Sequence, residues 1–351
     1  MMNISQQLIE HGIHPYGSAE VLKFEKQLVQ YFGREYKRWQ GNKNPVESYG
    51  LNSFQGDISK SETRPESLSH YNEEYHVYRA FLDKDYLAYT MGCFGVDPFG
   101  PELKNISLEQ AQMSKYKLLV ERANIQDGQS IIDLGCGFGG LSKYLLETYP
   151  DIKITAINPS DVQTDHIRNE LINPDNNFDN SRFRLIQAYF DDVDSLGIEL
   201  ESFDRVISIG FLEHVTNIDL LQKKLSQLLK PGGLCMHHCI VSVDVLPAFL
   251  NSEDTLMGGY YPGAHIWPLS EPQRHNTHLT FKNSWFINGM NYWKTLDEWH
   301  KRFWESIDQI YPEYLTIEEV ENWNKYFSLC KAMFIPNNGK SYGNGHFLYK
   351  K

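Results

Sequence analysis

The sequence runs Ile131-Ile132-Asp133-Leu134-Gly135-Cys136-Gly137-Phe138-Gly139-Gly140 where an apolar run meets a cluster of glycines. An apolar run of this kind predicts a buried strand, and the glycines after it predict a tight turn that opens a helix. Because glycine has no Cβ, the backbone of such a turn can approach a ligand closely at the carboxyl edge of a parallel sheet. The stretch therefore predicts a strand, a ligand-binding turn and a helix, in that order.

Gly135, Gly137 and Gly140 also satisfy the G-x-G-x-x-G spacing of dinucleotide-binding turns, so the glycines alone do not identify the ligand. Asp133 at the strand end would repel a pyrophosphate and attract a cation, such as an amino-acid ammonium or a sulfonium. A nicotinamide-binding turn is followed, about 20 residues later, by an acidic residue that holds a ribose hydroxyl. This sequence has Asn158 at that place. The two positions favour S-adenosylmethionine over a dinucleotide or a purely structural turn.

Short apolar runs alternate with helical stretches after this turn, which predicts an α/β fold with a parallel sheet and helices on both faces. The predicted strands are 130–134, 153–157, 183–186, 205–209, 234–241, 279–287 and 345–349. The predicted helices are 19–40, 70–90, 107–123, 292–310 and 317–334. Ser107 and Gln110 have the spacing of a capping box. Residues 41–69 are predicted to form a polar loop, and residues 244–277 an irregular insertion over the sheet edge.

The composition narrows the class of partner. The chain has 351 residues, with 33 Lys and Arg against 45 Asp and Glu, which gives a formal net charge of −12. This charge disfavours broad attraction to nucleic acid or to an anionic membrane, so no nucleic-acid partner is predicted. We find no apolar run that could span a bilayer and no signal-peptide pattern at the start. Five scattered cysteines do not resemble a secreted disulfide framework, so reduced thiols and a cytoplasmic location are predicted.

Several further motifs keep a fixed order around the glycine turn. They are His70-Tyr71, Phe81-Leu82-Asp83, Tyr89-Thr90, Leu108-Glu109-Gln110-Ala111-Gln112, Phe211-Leu212-Glu213-His214-Val215, Leu229-Lys230-Pro231-Gly232-Gly233, Thr295-Leu296, Trp299 and Arg302-Phe303. In this order and spacing the chain resembles the cyclopropane fatty acid synthase and mycolic acid methyltransferase family of S-adenosylmethionine-dependent enzymes. The resemblance covers most of the chain but not residues 1–69.

The resemblance implies a seven-stranded, mostly parallel, Rossmann-like methyltransferase sheet with a helical N-terminal extension and a cap insertion after the fifth strand. We expect residues 1–111 to form the helical region that covers the cofactor. Residues 112–351 would then form the methyltransferase domain, with the insertion near residues 242–278. By their positions in the family, the residues expected to bind S-adenosylmethionine are Tyr71, Thr90, Asp133, Gly135, Gly137, Asn158, Gln163, Ala188 and Tyr189.

The resemblance also implies a chemistry. In the synthases of this family, methyl transfer to a lipid alkene leaves a carbocation, and a bound bicarbonate removes a proton to close the ring. Glu213, His238 and the backbone of Ile240 match residues that hold this anion. The family's cysteine is replaced by Met91, which cannot donate usefully, and its tyrosine by His300, which could donate or act as a base. These two changes weaken the case for bicarbonate as a second cofactor without excluding it. Simple methylation with Glu213, His238 or His300 as the catalytic base is therefore supported about as well as cyclopropanation.

Aromatic residues are dense before the glycine turn and again after the insertion. Such rings could shield a sulfonium or a carbocation through cation–π attraction, although most of them must fill ordinary core. The residues predicted to border the methyl acceptor are Met91, Cys93, Ile240, Tyr260, Tyr292 and Trp299.

The segment Cys235-Met236-His237-His238-Cys239 places two thiols and one imidazole on one face of a strand. A strand buried on both faces explains these residues as well, and the sequence offers no fourth ligand, so no metal site is predicted. His237 and His238 would point to opposite faces, which leaves one of them as a core histidine.

Three hypotheses for function remain. The first is a carbon methyltransferase of the cyclopropane synthase type, acting on an unsaturated lipid or another hydrophobic acceptor. The second is C-, N- or O-methylation of a small metabolite, which Met91, His300 and the acidic charge favour more than the family alone would. The third is a cofactor-binding protein without turnover. The sequence leaves open a transient contact with a membrane through basic residues of the 19–40 helix. It also leaves open the formation of a homo-oligomer.

Overall fold

The computed structural model describes residues 4–39, 56–59, 68, 71–95, 105–172, 181–243, 248–249, 261 and 264–351. Its strands, in chain order, are β1 (Ser130–Leu134), β2 (Lys153–Asn158), β3 (Phe183–Gln187), β4 (Phe203–Ile209), β5 (Leu229–Ser242), β6 (Ala248–Phe249), β7 (His265–Pro268), β8 (Thr280–Asn288) and β9 (Tyr342–Lys350). Its α-helices are α1 (Ile4–Glu10), α2 (Ala19–Trp39), α3 (Tyr75–Phe81), α4 (Leu108–Arg122), α5 (Gly140–Thr148), α6 (Asp161–His166), α7 (Ile218–Leu228), α8 (Met290–Glu305), α9 (Ile307–Ile310) and α10 (Ile317–Phe334).

Seven strands of a nine-stranded sheet follow the order β3-β2-β1-β4-β5-β9-β8, and β7 and β6 branch from the end of β5. Strands β1 to β5 pair in parallel, and β9 is antiparallel to both β5 and β8. This order confirms the predicted α/β fold with a seven-stranded, mostly parallel sheet. The carboxyl ends of β1, β2 and β4 meet at one edge, which is where a doubly wound sheet binds its ligand.

Helices cover both faces of the sheet because alternate residues of each strand point to opposite sides. In β1, Ile131 packs in a core with residues of α4 and α5, whereas Ile132 packs in a core with residues of α7. The predicted capping box begins α4: the Ser107 hydroxyl accepts the Gln110 backbone N–H at 3.2 Å, and Gln110 Oε1 accepts the Ser107 N–H at 3.0 Å. These local rules place the glycine turn between two packed layers.

A third core joins α2, α3, α8 and α10, which come from opposite ends of the chain. It includes Phe138 of the glycine turn, whose ring centroid lies 5.3 Å from that of Tyr78 in α3. This helical layer therefore contacts the carboxyl edge of the sheet beside the turn.

The predicted helix 70–90 is shorter in the structure, where only Tyr75–Phe81 is helical within residues 71–90. Buried Asp83 ends the helical region, since its carboxylate accepts the backbone N–H groups of Tyr86 and Ala88, both at 2.7 Å. A side chain that bonds the following backbone offers the chain an alternative to helix. The apolar spacing predicted the helix, and this buried carboxylate limits it.

The predicted irregular insertion 244–277 contains two short strands. β7 extends the sheet beside the end of β5, with Val241 opposite Trp267, and β6 pairs with β7. Residues 244–247, 250–260 and 262–263 of this segment lie outside the described residues. Within the described part of the chain, no helix is long and apolar enough to cross a bilayer.

Candidate active site

A cavity opens at the carboxyl edge of β1, β2, β4 and β5, between the sheet and the helical layer. Many predicted site residues line it: Tyr71, Thr90, Asp133, Gly135, Gly137, Asn158, Gln163, Tyr189, Glu213, His238, Ile240 and Tyr292. Others do not line it: Met91, Cys93, Ala188, Trp299 and His300. Tyr260 lies outside the described residues. The cavity has a cofactor end near β1 and β2, and an acceptor end near β5 and β9.

Asp133 supplies the charge of the cofactor end. Its side chain is buried, and Oδ2 accepts the Ser142 hydroxyl at 2.7 Å. Burial raises the pKa of the Asp133 carboxyl to about 6, while the Ser142 hydrogen bond lowers it. The group is therefore mainly ionised at neutral pH, and a bound cation would lower its pKa further. A carboxylate in this position suits the ammonium group of an amino-acid moiety.

The glycines make room at this end. Gly135 has φ +72°, and a Cβ there would stand 3.0 Å from the ring of Phe211. At Gly140 a Cβ would meet the Tyr116 hydroxyl at 2.5 Å and the backbone oxygen of Tyr86 at 2.6 Å. The glycine turn from Gly135 to Gly140, called the glycine cradle below, can therefore pack against these neighbours only because these positions lack side chains. Its backbone lines the cavity, where a nucleoside ligand could approach it closely.

Asn158 ties the glycine turn to the end of β2. Its Nδ2 donates to the backbone oxygen of Gly137 at 3.1 Å and to Gln163 Oε1 at 2.8 Å. The Asn158 amide hydrogens serve this internal network, and Gln163 Oε1 is used as an acceptor, so the amide nitrogen of Gln163 is the donor left for a ligand. Ala188 donates its N–H to the backbone oxygen of Asn158 at 3.2 Å, which places it next to the cavity without lining it.

Lys115 lies beneath Thr90 and was not among the predicted site residues. Its Nζ donates to Thr90 Oγ1 at 2.7 Å and to Gln112 Oε1 at 2.6 Å, and its side chain is fully buried. Burial lowers the pKa of the Lys115 ammonium to about 8. Since the ammonium can only donate, the Thr90 oxygen is its acceptor, which leaves the Thr90 hydroxyl hydrogen to donate toward the cavity.

Glu213 dominates the acceptor end. Its Oε1 accepts the backbone N–H of Ile240 at 2.7 Å, whereas its buried Oε2 has no hydrogen-bond partner among the described residues. Burial raises the pKa of the Glu213 carboxyl to about 7, and the Ile240 N–H opposes the shift. The Trp267 indole holds the turn that carries Glu213, since it donates to the backbone oxygen of Leu212 at 3.0 Å. The site thus holds one carboxylate oxygen fixed and the other available.

His214 follows Glu213 on the same turn, and Tyr71 lies against it. The two rings meet edge to face with centroids 5.5 Å apart, and Tyr71 Oη is 2.8 Å from His214 Nε2. Burial raises the pKa of the Tyr71 phenol and lowers the pKa of the His214 imidazole to about 4. Tyr71 is therefore the donor and neutral His214 the acceptor, with the imidazole proton on Nδ1.

Tyrosine rings form much of the wall around this turn. Besides Tyr71, the cavity is lined by Tyr89, Tyr261 and Tyr292. Tyr89 and Tyr261 both bond the hydroxyl of Tyr326. Trp299 stands behind this wall, with its ring centroid 5.3 Å from Tyr89 and 6.3 Å from Tyr292. Trp299 therefore lies one layer behind the cavity wall, and the prediction that it borders the pocket is wrong.

The two histidines of β5 have separate surroundings, as their alternation predicts. His237 lies on one face, where Nδ1 is 2.7 Å from Ser208 Oγ and Nε2 is 3.3 Å from Cys235 Sγ. It is the core histidine of the pair. His238 lies on the cavity side, where Nδ1 is 2.7 Å from His346 Nε2 and Nε2 is 3.0 Å from Asn344 Nδ2.

His300 is not placed to act as a base. Its fully buried ring stacks on Phe327, and its Nε2 is 2.6 Å from Asn324 Oδ1 in the core of the helical layer. Burial lowers the pKa of its imidazole to about 3. The side chain faces α10 and α2 instead of the cavity, so the prediction of His300 as a base is not supported.

Met91 and Cys93 share a small core with Ile287, away from the cavity lining. Both were predicted to border the acceptor, so the structure corrects these two assignments as well. Met91 is fully buried. The segment that would present the family's anion-binding cysteine instead fills core in this protein.

Sequence reasoning missed His214, Lys115, His346 and Asn344. The signal for His214 was available, since it adjoins Glu213 in a motif already noted. Asn344 and His346 are polar residues two apart on one face of β9, but the predicted strand 345–349 did not include Asn344. Lys115 gave no signal, because a lysine on a helix is ordinarily solvated.

A model of the mycolic acid cyclopropane synthetase family matches residues 58–341. An (S)-coclaurine N-methyltransferase of Thalictrum flavum subsp. glaucum is 27% identical over 258 residues, which are 70% of this chain and 69% of that protein. The cyclopropane-fatty-acyl-phospholipid synthase of Escherichia coli (strain K12) is 28% identical over 213 residues, 59% of this chain and 51% of the bacterial protein.

Solved structures agree with this sheet and helical layer. A coclaurine N-methyltransferase bound to N-methylheliamine and SAH has a TM-score of 0.77 at 23% identity, and the match covers 95% of this chain and 100% of that one. A mycolic acid cyclopropane synthase complexed with SAH and CTAB has a TM-score of 0.65 at 22% identity, with 82% and 98% covered. With its glycine cradle and its buried Asp133, this chain is an S-adenosylmethionine-dependent methyltransferase, and it belongs to the mycolic acid cyclopropane synthetase family.

Proposed function

We propose that this enzyme methylates the nitrogen of a small amine that carries an aromatic ring. The observation that carries the proposal is Glu213 Oε2, a buried carboxylate oxygen with no partner among the described residues, on a cavity walled by tyrosines. A buried charge without a partner is costly, so the site is suited to a ligand that brings the missing N–H. An ammonium group supplies that hydrogen and is also attracted to the faces of aromatic rings.

At the cofactor end, Asp133 would hold the ammonium of the S-adenosylmethionine amino-acid moiety. The Thr90 hydroxyl would donate to its carboxylate, and Gln163 would donate to its ribose. When bound, S-adenosylmethionine supplies an electrophilic methyl group on a sulfonium. The glycine cradle and the tyrosine wall hold the reactants together and exclude water, which accounts for a large part of catalysis in a displacement of this kind.

At the acceptor end, the amine must lose a proton before its lone pair can attack. Glu213 Oε2 takes that proton from the ammonium nitrogen and becomes a neutral carboxyl. A pKa near 7 matches this task, because a base works best when its pKa is close to the working pH. His214, bonded to Tyr71 on the same turn, is kept neutral by burial, which avoids a second cation beside the amine.

Two observations favour the amine over a lipid alkene. The residues at the family's cysteine and tyrosine positions, Met91 and His300, both lie outside the cavity lining, so they cannot help to hold a bicarbonate. Relatives with (S)-coclaurine N-methyltransferase and pavine N-methyltransferase activity also match a larger share of this chain than the bacterial cyclopropane synthase does. The first observation weakens the lipid alternative, and the second supports nitrogen as the methylated atom.

The test is product analysis with S-adenosylmethionine that carries a deuterated methyl group. The enzyme is incubated with a set of cyclic aromatic secondary and tertiary amines, and separately with vesicles of unsaturated phospholipid. We expect mass spectrometry to show one labelled methyl on the nitrogen of at least one amine. A labelled methylene in the phospholipid with loss of a double bond, and unlabelled amines, would overturn the proposal.

A further inference from the structure

Four polar side chains form a line from α4 to the acceptor end of the cavity. Arg122 NH1 is 2.8 Å from His346 Nδ1, His346 Nε2 is 2.7 Å from His238 Nδ1, and His238 Nε2 is 3.0 Å from the amide group of Asn344. The register of β5 and β9 sets this geometry, since His238 is opposite His346 and Ile240 is opposite Asn344. His238, His346 and Asn344 are all buried.

The chemistry of Arg122 fixes the direction of every hydrogen bond in this line. A guanidinium can only donate, so His346 Nδ1 must accept and the His346 proton lies on Nε2. His346 Nε2 then donates to His238 Nδ1, so the His238 proton lies on Nε2 as well. Protonating either ring would set two donors against each other, and burial together with Arg122 and Lys115 keeps the pKa of both imidazoles well below the usual value.

The last step concerns the amide of Asn344. His238 Nε2–H needs an acceptor, so the amide oxygen of Asn344 must face it and the NH2 group must take the other position. Oxygen and nitrogen of an amide are assigned from the hydrogen-bond network. The amide atom turned away from His238 is buried and has no partner among the described residues. Exchanging the two atoms therefore satisfies His238 and leaves an N–H donor at the cavity lining.

We infer that the Asn344 amide is a specificity-determining donor that binds an oxygen of the methyl acceptor, and that Arg122, His346 and His238 position it. The inference rests on the proposed function, because it adds a second group to the amine substrate. Asn344 lies opposite Ile240, whose N–H holds the Glu213 carboxylate, and that charge would repel a second anion. The oxygen recognised is therefore a neutral one, a hydroxyl or an ether on the ring system of the amine.

The inference also changes the role of His238. With its proton on Nε2 and its Nδ1 bonded to His346, neutral His238 has no lone pair directed at the cavity. It is a positioning residue, and the earlier prediction that it could be the base is not supported by this network. Glu213 is left as the base of the acceptor end.

The experiment compares a parent cyclic aromatic amine with analogues that carry one hydroxyl or methoxy group at each ring position. We expect the wild-type enzyme to prefer one oxygenated analogue by a ratio of kcat/KM of tenfold or more. Asn344→Leu should bring that ratio to within twofold of one. Asn283→Leu, an exposed asparagine on β8, is the matched control and should leave the ratio unchanged.

Nitrogen-15 chemical shifts of the imidazoles provide a readout that does not depend on turnover. Both His238 and His346 should carry the proton on Nε2 in the wild type, and Arg122→Met should lose this pattern and lower the preference ratio. A His238 proton on Nδ1, or an unchanged ratio in Asn344→Leu, would overturn the inference. Failure of the wild type to methylate any amine would instead refute the proposed function. The imidazole shifts would still show in which direction the hydrogen bonds from Arg122 to Asn344 run.

Discussion

The two ends of the cavity are built in different ways. Most of the cofactor end comes from one part of the chain, because Asp133 and Asn158 lie in the last residues of β1 and β2 and Gly135, Gly137 and Gln163 follow those strands. The acceptor end gathers residues that are far apart in sequence, from Tyr71 through Glu213 to Asn344. Local sequence therefore specifies the cofactor, whereas tertiary packing specifies the acceptor, and the two ends should respond separately to substitution.

Glu213→Gln should have the largest effect of these substitutions, and the effect should be limited to the acceptor end. Loss of the base should lower kcat/KM for the amine by roughly 10²- to 10⁴-fold. The dissociation constant for S-adenosylmethionine, measured by calorimetry, should stay within threefold of wild type. Glu201→Gln, an exposed glutamate, is the control. Equal losses of cofactor affinity and turnover would show that Glu213 has a structural role in the site instead of a catalytic one.

Asp133→Ala should act at the cofactor end. Truncating one partner of a buried charge pair costs about 2–5 kcal/mol, so we expect the affinity for S-adenosylmethionine to fall by roughly 30- to 5,000-fold. Calorimetric titration measures this directly. The exposed Asp151→Ala variant should bind normally. Unchanged affinity in Asp133→Ala would show that the glycine cradle binds the cofactor without its carboxylate.

Tyr71→Phe should have an intermediate effect, because it removes one hydrogen bond and keeps the ring. The lost bond to His214 is worth about 0.5–1.5 kcal/mol, which corresponds to a fall in kcat of roughly tenfold or less. Steady-state kinetics at saturating cofactor measures it. A loss as large as that of Glu213→Gln would mean that the Tyr71–His214 pair carries the proton.

His300→Leu should have the smallest effect on turnover. His300 bonds Asn324 in the helical core, so its removal should lower the free energy of unfolding by about 1–3 kcal/mol. Activity per folded enzyme should stay within twofold of wild type. Denaturant unfolding and active-site titration separate the two quantities, and a large loss of kcat in fully folded enzyme would restore His300 as a catalytic candidate.

The difference between the ends also explains what could be predicted from sequence. Asp133 and the glycines follow rules of strand ends and backbone approach, so their positions needed only local pattern. Glu213 and His238 were found through the family resemblance, but their partners depend on strand register and on where β9 inserts. The periodicity of apolar residues along the sequence does not specify the register of these strands.

The helix predicted over residues 70–90 shows the same limit. Its apolar spacing is helical, but buried Asp83 bonds two later backbone N–H groups and turns the chain. His300 illustrates a further limit, since the family resemblance suggested its role but its orientation depends on the packing of α8 against α10. In both cases a tertiary contact decided the outcome.

The pH dependence of kcat/KM for two amines whose own pKa values differ by about two units tests most directly whether Glu213 is the base. The Glu213 carboxyl must be ionised to accept a proton, so kcat/KM should fall as the pH drops through its pKa, at or below about 7 because a bound cationic cofactor can only lower it. We predict that the wild type shows the same acidic limb for both amines, and that in Glu213→Gln this limb is replaced by one that follows the pKa of each amine. A wild-type acidic limb that moves with the pKa of the amine, or a shared limb near the Glu213 pKa that persists in Glu213→Gln, would contradict this role for Glu213.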